Sequence, residues 1–382
     1  MEKPSVCHLT SVHKQFDIRI FYKELVSLSK AGYKTTLISQ GVSGKKEGIK
    51  LIGLGKAPKS RIKRILFFTK KLYRAAINVN ADIYHIHDPE LLPIGKKLSQ
   101  KGKIVIFDSH ENVPGQIEEK TYIPKILRTL ISNIYASYEK RIVKKLSGII
   151  CVSPNFSKRM KQNNSNTVTV TNYPLLSEQN ELIDINVNNE INIVKSDDFT
   201  ICFPGLISEE WCHLELLDAI DDLEIAYLLC GPKHEEYFQK IKLHNSWEKV
   251  NYLGVVSRER VIEIINNSDL GIALCRKLPN TDYNVGTLGN TKLFEYMLQK
   301  KPVCCTNFDL WQEIVVKNNC GICVEPDNPN EIKKALEWFI DHPKEGVQMG
   351  ERGYNAVITE YNWASQEKKL LDFYEKIYRT NH

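Results

Sequence analysis

Residues 286–297 read GTLGNTKLFEYM and join a permissive loop to a helix. Gly286 and Gly289 let a ligand approach the backbone closely. The first amides of a helix have no partner within it, and the helix dipole adds partial positive charge there. Gly286, Thr287, Leu288, Gly289, Asn290, Thr291 and Leu293 therefore describe a cradle for an anion such as a phosphate. One turn in, Glu295 is the lone acid in an apolar pattern of Leu293, Phe294, Tyr296 and Met297. Its carboxylate could accept bonds from hydroxyls. The same spacing also describes a capped helix with a surface glutamate, and residue order leaves both open.

The elements that must position this loop follow from periodicity. VCHLTSV (6–12), KTTLIS (34–39), IYHIHD (83–88), IVIFDSH (104–110) and GIICVS (148–153) are short apolar runs separated by helical segments, one of which ends at Gly32. Alternation restarts with TICFPG (200–205), AYLLCGP (226–232), VNYLG (250–254), LGIAL (270–274), KPVCCT (301–306) and GICVEP (321–326). Such alternation builds parallel sheets covered on both faces. The expected fold is α/β, with two Rossmann-like doubly wound domains facing a crevice at the carboxyl ends of their strands. The domains are expected at 1–174 and 199–360, with a polar, Asn/Asp-rich linker at 175–198.

Apolar content of 42% and charged content of 26% are those of a soluble globular protein. MEKPSVCHLTSV lacks the apolar run of a signal peptide, and no stretch approaches a membrane span. Ten cysteines without disulfide-like spacing point to reduced thiols and a cytoplasmic setting. Cys320 and Cys323 form one C-x-x-C, read as small buried residues because no second pair completes a zinc site. The net charge of +6 hides two opposed halves, +19 over residues 1–172 and −13 over 173–382. A basic half seeks an anionic partner.

KLFEYM followed by KPV, NNCGICVEPDNPNEIKKAL and HPKEGVQMGERGYNAVITEYNW resemble the C-terminal half of family 4 glycosyltransferases. HLTSVHKQFDIRIFYKELVSLSKAGY, YHIHDPELLPIG and FDSHENVPGQI resemble the acceptor domain of bacterial members that build surface polysaccharides. The resemblance covers nearly all of the chain except the linker. It implies a GT-B fold and a retaining transferase that moves a hexosyl unit from a nucleotide-diphosphate sugar without a cofactor or metal. It also implies that the last helix, 361–382, packs back on the N-terminal domain. Glu295 takes the family's ribose-binding role. His110 matches a histidine beside the donor sugar. His13, Asp17 and Arg19 fall in the first strand–helix loop, and His87, Asp88, Glu90 and Glu111 in loops that meet the acceptor. These His, Asp and Glu residues match no metal-binding spacing.

The sequence departs from the family in three places. Thr287 stands where many members have a glutamate near the donor sugar, so backbone amides of 286–288 are expected to meet the sugar. Lys300 replaces a glycine before KPV, where a Cβ is expected to strain the turn. The usual Arg-Gly and Lys after the first C-domain strand are missing; the text there is PGLISEEWCHLELL, beginning near Gly205. A departing diphosphate still calls for a cation. Lys233 and Lys292 are the first choices, with Arg276 and His213 behind them.

From Lys56 to Arg74 the chain has eight basic residues and no acid. At helical spacing Ile62, Ile65, Leu66, Thr69, Leu72, Tyr73 and Ala76 share one face. Lys59, Lys63, Arg64, Phe67, Lys70, Lys71 and Arg74 share the other. That basic face fits either a solvated helix covering the sheet or one lying on an anionic bilayer, where a polyprenyl-diphosphate-linked glycan would be the acceptor. No nucleic-acid reader motif is present. The alternatives to a transferase are a non-catalytic, transferase-derived partner subunit and a nucleotide-sugar epimerase.

Overall fold

The computed structural model describes residues 3–120, 122–176 and 198–381. The expected linker therefore lies almost wholly outside the described residues. The chain forms two compact units, residues 1–172 with 363–382, and residues 173–362.

In the first unit the strands are β1 (Ser5–Leu9), β2 (Lys34–Ser39), β3 (Gly44–Lys46), β4 (Ile49–Gly53), β5 (Ile83–Ile86), β6 (Ile104–Ser109), β7 (Gly148–Cys151) and β8 (Thr167–Thr169). They form one sheet in the order β3-β4-β2-β1-β5-β6-β7-β8. All pairings are parallel except β3 with β4. β1, β5, β6 and β7 are apolar and β-branched because helices cover both of their faces. The order reverses at β1, between β2 and β5, and ligands of open α/β sheets sit at such a switch. The C-terminal helix Trp363–Thr380 belongs to this unit. Its Trp363 Nε1 donates to Ser27 Oγ at 3.0 Å, and its Tyr374 is fully buried.

The second unit has β9 (Phe199–Pro204), β10 (Ile225–Cys230), β11 (Val250–Tyr252), β12 (Leu270–Ala273), β13 (Val303–Thr306) and β14 (Gly321–Val324). Its order is β11-β10-β9-β12-β13-β14, all parallel, with the switch at β9. Lys300 sits at φ 57°, a left-handed conformation that suits glycine. The described cysteines are free, and Cys323 Sγ lies 3.7 Å from Cys305 Sγ.

The basic helix departs from its expected register. Arg64–Phe68 is a π-helical segment inside the run Arg61–Val79. The wider turns rotate the face, so Phe68, Thr69, Leu72 and Ala76 are buried while Ile62, Ile65 and Leu66 are exposed. Phe67, Lys59, Lys63, Lys70, Lys71 and Arg74 are exposed as well. Arg64 is the exception among the surface residues. It turns inward and grips Glu90 with two bonds, Nε to Oε1 at 2.7 Å and Nη2 to Oε2 at 3.0 Å. The helix Lys125–Val143 exposes a second apolar stripe of Ile126, Leu127, Leu130, Ile131 and Ile134, with Ile126 84% exposed.

Candidate functional site

In the second unit the 286–291 loop leads into the helix Lys292–Leu298. Gly286 is required twice over: its φ is 77°, and a Cβ there would lie 2.5 Å from Phe308 Cβ. Thr287 serves the loop itself, since its Oγ1 accepts from Gly289 N at 3.0 Å and its carbonyl accepts from Trp311 Nε1 at 2.9 Å. Asn290 Oδ1 takes the amide of Lys292 at 3.1 Å. The first i to i−4 bond is Glu295 N to Thr291 O at 2.9 Å, so the amides of Leu293 and Phe294 precede the helical ladder. The side chains of Leu288 and Leu293 pack into the core, so what they offer a ligand is backbone.

Glu295 is partly buried, with Oε1 accepting from Thr291 Oγ1 at 2.8 Å and Oε2 from Arg258 Nη1 at 3.1 Å. Burial pushes its acidity one way, and Arg258, Lys292 and these bonds outweigh it, so the carboxyl is held below its ordinary range. Each oxygen keeps a second lone pair for a hydroxyl. Lys292 Nζ donates to the carbonyl of Pro204 and stands 4.3 Å from the centroid of Phe203 and 5.1 Å from that of Trp211. Desolvation lowers it to about 8, with Glu295 opposing. A Cβ on Gly205 would collide with that ammonium. Gly205, Lys292, Glu295 and Arg258 are thus gathered at the carboxyl end of β9.

The other expected cations do not join them. Lys233 lies after β10, but its Nζ turns to Glu235 at 3.3 Å and over the Phe238 ring at 3.9 Å. Arg276 is paired with Glu215 and Asp327. His213 is buried with Nδ1 2.9 Å from Tyr227 Oη, and burial pushes it down to about 3, so it is a neutral core residue and supplies no charge.

In the first unit, His13, His87, Asp88, Glu90, His110 and Glu111 all line one cavity of about 290 Å³. Arg61, Arg64 and Lys120 give it a basic rim, and Phe107, Val113 and Ile117 an apolar wall. His13 lies 3.4 Å from Asp17 Oδ2 and 3.5 Å from Asp88 Oδ1. Burial opposes its charge, but Asp17, Asp88 and Glu111 raise its pKa. Glu111 Oε2 accepts from Gln116 Nε2.

Four of the expected acceptor residues also hold groups of the protein itself. Asp17 Oδ1 caps a helix, accepting from Arg19 N at 2.9 Å and Ile20 N at 3.0 Å. Asp88 Oδ2 anchors the loop after β1 through Thr10 Oγ1 at 2.9 Å and Ser11 N at 2.6 Å. Arg19 is buried against Asp108, with Nε to Oδ2 at 2.8 Å and Nη2 to Oδ1 at 3.0 Å. Glu90 is held by Arg64 and by Ser11 Oγ at 2.6 Å.

Sequence reading missed Arg258, Asp108, Glu24, His8 and His85. Asp108 carried a signal, since it sits two positions before His110 on a strand and an acid in an apolar strand needs a partner. The pair forms: His110 Nε2 is 2.8 Å from Asp108 Oδ2. Among the described residues, two groups have the spacing of metal ligands: His8, Glu24, His85 and His87, and His87, Asp108 and His110.

Residues 21–172 match the sequence model of glycosyltransferase family 4, and residues 184–356 match that of glycosyl transferases group 1. An uncharacterized glycosyltransferase of Methanocaldococcus jannaschii is 23% identical over 299 residues, 74% of this chain and 79% of its own length. The sucrose-phosphate synthase of Thermosynechococcus elongatus has a TM-score of 0.75 at 13% identity, over 99% of this chain and 100% of that one. Anabaena HepE in complex with UDP and glucose has a TM-score of 0.70 at 12% identity, over 98% and 100%. With both halves matched, and two doubly wound sheets of the GT-B class, the chain belongs to the family 4 glycosyltransferases.

Proposed function

We propose that this enzyme transfers a hexosyl unit, with retention and without a metal, from a nucleotide-diphosphate sugar to a glycan or polyprenyl-diphosphate-linked glycan in surface-polysaccharide assembly. The observation that carries the reading is the grouping of Lys292, Glu295, Gly205 and the Gly286 loop at the carboxyl end of β9. UDP is the preferred nucleotide, supported by Anabaena HepE in complex with UDP and glucose.

In this reading the diphosphate rests on the amides of Leu293 and Phe294, and Glu295 grips the ribose diol. Negative charge grows on the diphosphate as the glycosidic bond breaks. Lys292, held partly desolvated, is the cation that meets it, and a partial charge in such a site acts more strongly than in water. The acceptor hydroxyl attacks from the side the diphosphate leaves, and the leaving phosphate takes its proton. The backbone of residues 286–288 meets hydroxyls of the donor sugar. In the first unit His110 lines the acceptor cavity and meets a sugar hydroxyl there.

The acceptor reading rests on the cavity beside His110, whose rim of Arg61 and Lys120 suits a phosphate and whose Ile117 wall suits an apolar chain. The exposed faces of Arg61–Val79 and Lys125–Val143 carry lysines beside aliphatic residues, as a helix on an anionic bilayer does. We place the enzyme in the cytoplasm on that surface. No described helix is long and apolar enough to cross a membrane.

The test is UDP release from UDP-hexoses without acceptor, with the anomer of the product read by NMR. Slow hydrolysis with retained configuration, abolished in Glu295→Ala, is expected. Binding without turnover against any acceptor pool would point to a partner subunit, and free epimerised nucleotide sugar to an epimerase. Flotation with anionic and neutral vesicles tests docking: equal partition at low salt would contradict it.

A further inference from the structure

A buried polar cluster adjoins the cavity through His87, which lines it, and through Asp108, which holds His110. His8, Glu24, His85, His87, Asp108 and Tyr374 are all buried, and consecutive contacts link most of them into a chain. His85 Nδ1 is 2.7 Å from Tyr374 Oη, which is 3.1 Å from His8 Nε2. His8 Nδ1 is 2.9 Å from His87 Nε2, and His87 Nδ1 is 3.5 Å from Asp108 Oδ2. Asp108 Oδ2 also receives Arg19 Nε and His110 Nε2, each at 2.8 Å.

The ends of the chain fix its direction. Asp108 is held ionised against its burial, chiefly by Arg19, so it is an acceptor only. His87 Nδ1 lies 3.3 Å from His110 Nε2 and 3.5 Å from that carboxylate; a proton on it goes to Asp108 and leaves Nε2 bare, and the far end at His85 decides between this direction and the reverse. In this direction His8 must donate from Nδ1 and accept at Nε2 from the Tyr374 hydroxyl. Tyr374 in turn accepts from His85 Nδ1, which leaves His85 Nε2 bare. That nitrogen is buried without a partner, and an unpartnered acceptor costs less than an unpartnered N–H. Running the chain the other way would strand a buried N–H at His85. Glu24 sits 3.9 Å from nitrogens of His8, His85 and His87 and 3.1 Å from Arg19 Nε, and burial, opposed by Arg19, pushes its carboxyl up.

We propose that Asp108 is a positioning residue that fixes His110 as its Nε2–H tautomer, leaving Nδ1 as the bare nitrogen for the cavity, and that the His85–Tyr374–His8–His87 chain runs one way onto the same carboxylate. His110 thereby meets a sugar hydroxyl as an acceptor at Nδ1 when neutral. Charged groups near it are Asp108, Asp17 and Glu111 as acids, with His13 and His87 as neighbouring imidazoles. The catalytic part of this inference rests on the transfer reading above, whereas the tautomer assignment does not.

Long-range ¹⁵N–¹H correlation on histidine-labelled protein reads each tautomer directly. Expected are Nε2–H for His110, and Nδ1–H for His87, His8 and His85. Asp108→Asn should convert His110 partly to Nδ1–H, lower kcat on the order of 10²-fold or more with little change in KM, and move the acid limb of the pH profile. Because that variant risks misfolding, Tyr374→Phe supplies a second reading: His110 stays Nε2–H while His85 loses its single tautomer. A wild-type His110 in the Nδ1–H form overturns the proposal, as does a His85 signal unchanged in Tyr374→Phe. One zinc or cobalt ion per chain, bound in competition with a chelator and shifting these resonances, would also overturn it, since a metal would then set the tautomers.

Discussion

Lys292→Met separates donor binding from folding, and the structure gives both signs. The amine falls from an ordinary 10.5 to about 8 because it is desolvated. At about 1.4 kcal/mol per pH unit, that fall corresponds to roughly 3 kcal/mol of charge burial at neutral pH. Lys292 is only partly buried, so solvent screening reduces this to about half. Methionine removes the cost but leaves the Pro204 carbonyl without its donor, a loss of about 1 kcal/mol. The variant should therefore be more stable without ligand by up to about 1 kcal/mol at pH 7, or a few degrees in Tm. For a cation with a depressed pKa, the burial cost is full below the folded pKa and disappears as pH rises toward the unfolded one. The gain should thus shrink between pH 8 and pH 10.5. Thermal denaturation across that range, with and without UDP, is the assay. UDP should raise the wild-type Tm and leave the variant nearly unmoved. A variant less stable than wild type at every pH, or one that UDP protects equally, would refute the argument.

Gly286→Ala places a Cβ against Phe308 in a left-handed turn, so UDP protection should vanish and stability fall by about 2 kcal/mol or more, seen by denaturant unfolding. Lys300→Gly should relieve the left-handed strain, about 1–2 kcal/mol, offset in part by glycine's unfolded-state entropy; Tm should rank Gly above Lys above Ala. His13→Gln tests the acids around that ring. The folded pKa of His13 is raised, so its stabilisation is full below the unfolded value and is lost as pH rises through the folded one. The Tm difference from wild type should accordingly be larger at pH 5.5 than at pH 8.5, and a constant difference would contradict the pairing.

The parallel sheets were legible because buried strands leave continuous apolar runs, as in IVIFDS and TICFP. The Gly286 loop was legible because its glycine needs a particular backbone. What escaped were pairings between distant residues. Glu295 and Arg258 are 37 positions apart, and Arg19 and Asp108 are 89 apart; nothing in either neighbourhood names its partner. His213 shows the reverse failure: a histidine at a helix start looked available, but the rings of Phe203, Tyr227 and Tyr237 enclose it. The basic helix misled through a π-helical segment that rotates three aliphatic residues outward, a register change that periodicity cannot anticipate.

The central claim is that one helix mouth in the acidic half holds a nucleoside diphosphate. Soaking crystals with UDP addresses it without any assumption about sugar or acceptor. The diphosphate should lie within hydrogen-bond distance of the Leu293 and Phe294 amides and near Lys292 Nζ, with the ribose diol on Glu295. UDP found elsewhere, or a Glu295 that keeps only Thr291 and Arg258 while nucleotide is bound, would contradict the account.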